Sequence, residues 1–214
     1  MKKKLIICLF LPFGFLPLTS HGQISSGTTL LGGSLGFTTN ANKSNETVNQ
    51  EYRSNNFYIS PQAGYFIADN LVVGASLGLS NGSQKSNSKK VFEQKGFSAG
   101  PFVRYYKFLG EKTALFGNAA LNFNQTKVKT QNSVGELTTF QKQEGFSAIL
   151  TPGLTYFASS KVGLEISLGS IGYSTNSSES NLNSSFQNTS KHSGFFKYYG
   201  LANSALGVNF YLGR

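Results

Sequence analysis

The sequence predicts an all-β chain that closes into an eight-stranded, antiparallel, up-and-down barrel and crosses a membrane with its strands. Three observations lead there. The apolar residues alternate with a period of two, the faces between them are small and nearly uncharged, and short turns alternate strictly with long polar segments.

The clearest alternation runs from Leu71 to Ser80. Leu71, Val73, Ala75, Leu77 and Leu79 form one face, and Val72, Gly74, Ser76, Gly78 and Ser80 form the other. A strand with one face in bulk water ordinarily carries Lys, Glu or Thr there. A face of Gly and Ser suits a crowded interior, so the apolar face is read as facing lipid and the small face as lining a lumen.

Before that strand, the chain opens on Met1-Lys2-Lys3-Lys4, runs apolar from Leu5 to Leu18, and reaches Ser20-His21-Gly22. A charged start, a short apolar middle and small residues before a cleavage point are the marks of a secretory signal peptide over 1–22, leaving 23–214 as one barrel domain. The apolar run, broken by Pro12 and Pro17, falls short of the ~20 residues of a spanning helix. Losing Lys2, Lys3 and Lys4 would lower the formal charge from +10 to +7 and, with Cys8, remove the sole cysteine. The mature chain is then without disulfide or thiolate chemistry.

A hairpin unit occurs three times. Phe57, Pro61, Tyr65 and Phe66 are echoed by Phe97, Pro101, Tyr105 and Tyr106, then by Phe146, Pro152, Tyr156 and Phe157. Each unit meets a short turn, at Ala68-Asp69-Asn70, Leu109 to Lys112 and Ser159 to Lys161, and a second strand starts near Leu71, Thr113 or Val162. Leu30 to Thr38 and Leu201 to Leu212 supply the remaining two strands. The prolines remove ladder hydrogen bonds, so a bulge or bend is expected at each.

Polar segments rich in Asn, Ser, Lys and Gln separate the hairpins, at Thr39 to Asn55, Asn81 to Lys95, Gln125 to Glu144 and Thr175 to Tyr198. They are expected to be long loops outside the cell, with the short turns and both termini in the periplasm. Outward positions such as Leu35, Ile59, Val103, Leu121, Leu150, Leu164 and Val208 carry no charge. Phe57, Phe97, Phe123 and Phe146 are expected in an outer aromatic girdle, and Tyr65, Tyr105 and Tyr156 in a periplasmic one.

These features resemble the small outer-membrane β-barrels of Gram-negative bacteria, the OmpA/OmpX-like eight-stranded kind, over the whole mature chain. The chain end, Gly207 with Phe210 and Leu212, resembles the terminal strand signal of that class, although Leu212 replaces an aromatic and Gly213-Arg214 run past the usual end. The resemblance implies bacterial outer-membrane localisation and the barrel-assembly machinery as a partner.

Two inward charges fall within the expected span, Arg104 and Glu165, and are expected to pair across the lumen. Phe66, Tyr106, Phe116, Phe157 and Tyr211 point inward near the same end and are expected to plug it. Lys85, Lys89, Lys90 and Lys95 against Glu93 make the second long loop basic, suited to lipopolysaccharide phosphates or an acidic host or cell-surface ligand. Membrane lipids are the other expected partner, and nucleic acid is not one.

Enzymes exist on such barrels, but the mature chain offers one histidine, His192, in a segment with Ser190, Ser193 and Glu179. A lone histidine among serines is ordinarily solvated, so no catalytic, cofactor or metal site is expected. The functional expectation is a structural or surface-interaction protein with a closed lumen. The alternatives are a narrow porin or carrier for small solutes, a lipid-modifying enzyme built around His192, and a soluble lipocalin-like barrel with its apolar faces turned inward.

Overall fold

The computed structural model describes residues 23–44, 50–86, 89–131, 137–182, 186–199 and 205–214. The proposed signal peptide over 1–22 and the start of the last strand at Leu201 lie outside them. Ten strand segments form the structure: β1 (Thr29–Ser44), β2 (Gln50–Ala68), β3 (Leu71–Ser86), β4 (Lys89–Phe108), β5 (Thr113–Gln131), β6 (Leu137–Phe157), β7 (Val162–Ser167), β8 (Ser170–Leu182), β9 (Phe186–Tyr199) and β10 (Leu206–Leu212). Consecutive segments β1 to β6 pair antiparallel, and β6 pairs with β7 near its end and with β8 along its earlier part. β7 and β8 are therefore two pieces of the seventh wall strand, and β9 and β10 occupy the eighth. β10 pairs with β1 from Thr29 opposite Leu212 to Leu35 opposite Leu206, which closes an eight-position ring.

Alternation sorts the side chains as the period-two pattern requires. Among the described residues, twenty-seven large apolar side chains are exposed, from Ile166 at 36% to Leu206 at 67%, whereas Phe66, Val72, Tyr106 and Tyr211 are fully buried. Such an apolar exterior would be far beyond the patch a water-soluble monomer shows, and it is the exterior of a barrel whose wall meets lipid. The lipocalin-like arrangement, with apolar faces inward, is thereby excluded. Phe57, Phe97 and Phe146 stand on that exterior toward one end, and Tyr65, Tyr105 and Tyr156 toward the other.

The three short turns occupy one end of the barrel. Asn70 adopts a left-handed conformation (φ 63°), which asparagine tolerates and which lets Asp69-Asn70 reverse the chain from β2 into β3. β3, β5 and β7 start at Leu71, Thr113 and Val162, where the sequence places them.

The opposite end departs from expectation. The polar segments read as loops are mostly paired strand: β1 and β2 continue to Ser44 and Gln50, β3 and β4 to Ser86 and Lys89, β5 and β6 to Gln131 and Leu137, and β8 and β9 to Leu182 and Phe186. A strand needs a partner backbone more than it needs apolar side chains, and polar residues on both faces are tolerated once the wall rises into water. Cross-strand polar pairs follow, among them Thr39 to Asn55 at 2.6 Å and Gln125 to Glu144 at 2.7 Å. Lys85, Lys89, Lys90 and Lys95 accordingly lie on β3 and β4, not in a loop. His192 lies on β9 opposite Asn176, with Ser190 opposite Ser178.

The prolines behave in two ways. On the β2–β3 ladder the register is the same before and after Pro61, but pairing skips from Ile59–Leu79 to Gln62–Ser76; at Pro101 it skips from Ala99–Phe123 to Phe102–Ala120. These are gaps without a bulge. At Pro152 the register does shift by one, between Leu150–Ile171 and Gly153–Ser167. The extra residue sits in the seventh wall strand between β7 and β8, where Gly169 has φ 86°. Only glycine takes that conformation freely, so the break falls there.

Candidate functional site in the barrel lumen

Arg104 on β4 and Glu165 on β7 face each other across the interior, their Nη1 and Oε2 atoms 2.9 Å apart and both residues buried. Each is placed by parity, two residues from Phe102 and Tyr106 on β4, and opposite Thr155 and Gly207 on the strands flanking β7. A buried ion pair holds only where its other hydrogen-bonding capacity is met.

Here that capacity is met on both sides. Arg104 donates from Nε to Asn118 Oδ1 (3.1 Å), from Nη1 also to the Tyr106 hydroxyl (3.1 Å), and from Nη2 to Gln62 Oε1 (3.0 Å). Gln62 in turn donates to Asn209 Oδ1 at 2.9 Å. On the acidic side, Glu165 Oε1 accepts from the hydroxyls of Tyr106 (3.1 Å) and Thr155 (3.2 Å), with the Tyr211 hydroxyl 3.2 Å away. The Arg104 guanidinium also lies 4.7 Å from the Phe116 ring centre, a cation–π contact.

Beneath this network, toward the turn end, aromatic rings fill the bore. Tyr106 and Tyr211 meet edge to face at 6.2 Å, Phe157 lies 5.2 Å from Tyr211, and Phe66 contacts both tyrosines. Phe116 packs on Tyr106 at 6.1 Å, and Phe108 stacks on Phe157 at 5.2 Å. Glycine opposite makes the room: a Cβ on Gly153 would collide with the tip of the Phe116 ring and stand 2.7 Å from the Ile166 carbonyl oxygen. Gly153→Ala is accordingly expected to cost about 1–3 kcal/mol, read by urea unfolding of the chain in detergent micelles.

Residues outside the strands finish the plug, and the sequence pattern does not show this. Ile24 is fully buried in the aromatic cluster. Its backbone N–H donates to Asn70 Oδ1 (2.9 Å), and its carbonyl accepts from the Asn70 N–H (2.9 Å). Beyond β10, Gly213 (φ 88°) turns the chain so that the Arg214 guanidinium lies 4.2 Å from the Phe157 ring centre. Gln62, Asn118, Thr155 and Asn209 were legible by the same parity that marks Arg104, since each stands on an inward position. Ile24 and Arg214 belong to no strand, so periodicity carries no signal for them.

Above the network the interior is open and polar. A cavity of about 220 Å³ rests on Arg104, Glu165, Gln62 and Asn118. It adjoins one of about 650 Å³, and both touch Ser34, Ser60, Thr151 and Ser167. Among the described residues, no group of three or more His, Cys, Asp or Glu gathers in metal-binding range. The sequence-derived basic set is divided by the structure: Lys90 and Lys95 both pair with Glu93, at 2.9 and 3.2 Å, whereas Lys85 and Lys89 do not share that contact. Lys90 and Lys95 hold the Glu93 carboxyl below its ordinary pKa.

No protein-family model matches this chain, and no curated protein sequence matches it. Solved structures do. The outer membrane protein OprG from Pseudomonas aeruginosa is 12% identical with a TM-score of 0.51, the match covering 91% of this chain and 100% of that one. The N-terminal β-barrel domain of Pseudomonas aeruginosa OprF is 15% identical with a TM-score of 0.41, covering 87% of this chain and 98% of that one. Neisserial surface protein A is 16% identical with a TM-score of 0.39, covering 88% and 98%. The closed ring, the apolar exterior and the likeness to OprG lead to one conclusion: this chain has the fold of the small, eight-stranded outer-membrane β-barrels.

Proposed function

We propose that the chain is a bacterial outer-membrane barrel with a sealed lumen, acting through the surface of its long polar hairpins and not by conduction. The observation that carries this is the layered closure of the turn end, an Arg104–Glu165 network lying over packed aromatic rings. Ile24 and Arg214 lie at that end, held against Asn70 and Ser160. In this reading residues 1–22 are removed on export, the turn end lies in the periplasm, and the hairpins stand outside the cell. Membrane lipids, lipopolysaccharide and a host or cell-surface ligand are the partners in place, and the barrel-assembly machinery is the partner in biogenesis.

The mature chain, refolded into planar bilayers, is expected to give no single-channel conductance. Arg104→Ala alone leaves the rings beneath it and is expected to stay silent. Joined to Tyr106→Ala and Tyr211→Ala, it opens the bore. Steady conductance by the unaltered chain would overturn the sealed lumen and establish the narrow-porin reading, which the polar cavities above the network favour.

A further inference from the structure

The sheet register brings together three lysines that are far apart in sequence. Lys95 on β4 stands directly opposite Lys127 on β5, and Lys127 directly opposite Lys142 on β6. All three share the outward parity of Phe97, Phe123 and Phe146. Like charges placed directly across a ladder repel, and sheets ordinarily avoid the arrangement. Carboxylates lie beside the row: Glu93 reaches Lys95 at 3.2 Å, Glu144 reaches Lys142 at 2.7 Å and interacts at longer range with Lys127, and Glu179 stands directly opposite Lys142. Among the described residues, no carboxylate lies in ion-pair contact with Lys127 between them.

The height of the row identifies what would relieve it. Lys95 is two residues beyond Phe97, and Lys127 and Lys142 are each four residues beyond Phe123 and Phe146. At ~3.3 Å per residue and a tilt near 40°, that is about 5–10 Å past the aromatic girdle. The girdle marks the boundary of the hydrocarbon, so the ammonium groups reach the zone of charged headgroups. A loop patch would instead project into bulk solvent, at no fixed distance from the lipid.

We propose that Lys95, Lys127 and Lys142 form a binding site for the phosphate groups of the glycolipid in the surrounding outer leaflet. This rests on the reading above that the long hairpins face outward. Lys107 also points outward, but it lies at the turn end, beside Leu115. It serves as the internal control.

The test uses the full mature chain refolded in neutral-detergent micelles, titrated with purified lipopolysaccharide and with the same material after removal of its phosphates. The combined Lys95→Gln, Lys127→Gln and Lys142→Gln variant is expected to bind lipopolysaccharide at least tenfold more weakly, with a shallower dependence on salt. The unaltered chain is expected to lose affinity similarly for the dephosphorylated lipid, and Lys107→Gln to bind as the unaltered chain does. Circular dichroism and heat-modifiable mobility on gels verify that each variant is folded. Equal binding by the triple variant, or by the dephosphorylated lipid, overturns the site. Protease shaving of intact cells separates this from the parent reading. Hairpins cleaved from outside with equal lipid binding by the triple variant remove the lysine site alone, whereas hairpins protected from outside remove both.

Discussion

Replacing Glu165 with alanine is expected to destabilise the barrel by about 3–5 kcal/mol, the cost of leaving a buried charge without its partner. The substitution strands Arg104, which is buried among Phe102, Tyr106 and Phe116. It also removes the acceptor of the Tyr106 and Thr155 hydroxyls. Urea unfolding in micelles, followed by loss of the heat-modifiable folded band, reads the effect. Glu165→Gln keeps the shape and an acceptor oxygen, so it is expected to lose less than Glu165→Ala.

A double replacement separates stability from specification. Arg104→Met with Glu165→Leu removes both charges together, and such exchanges are commonly neutral or stabilising by about 1–4 kcal/mol. If the double variant is as stable as the unaltered chain while each single variant is weak, the pair is not the source of net stability. Its role is then to fix which inward positions meet, since β4 and β7 are not neighbours in the wall and share no ladder. A double variant as weak as Glu165→Ala would show that the lumen needs its charges, because the Asn118 and Gln62 carbonyl oxygens and the Thr155 hydroxyl then lose their partners.

What was legible in the sequence follows from where the physics is periodic. Within the lipid-facing belt each residue has a strict inside or outside, so parity alone placed Arg104, Glu165 and the five inward aromatics on one face. Beyond the belt both faces meet water and the alternation fades. Polar runs such as Asn81 to Ser86 then look like loops although they are paired strand. Lys127 and Lys142 were missed for the same reason: their juxtaposition is a property of register, which composition does not encode. Of the bulge or bend expected at each proline, a bulge occurs at the height of Pro152, but in the neighbouring strand. Pro152 breaks the ladder of β6 with the seventh wall strand, and the extra residue is absorbed there at Gly169, the nearby position free to take a positive φ.

The second large effect is expected at Tyr211, where Tyr211→Ala should cost about 3–5 kcal/mol. This ring is fully buried and contacts Phe66, Tyr106 and Phe157, so its loss leaves a cavity that three rings on three other strands cannot fill without leaving their own contacts. It also stands on β10, whose pairing with β1 closes the ring, and its N–H donates to the Lys161 carbonyl at 2.8 Å. A loosened Tyr211 therefore weakens both the plug and the seam. Tyr211→Phe discriminates between the two contributions, since it keeps the ring and removes only the hydroxyl beside Glu165, at an expected cost of about 1–3 kcal/mol. If Tyr211→Phe proves as damaging as Tyr211→Ala in urea unfolding, the hydroxyl network and not ring packing holds the last strand in place. If it is near neutral, the aromatic layer is what seals the seam.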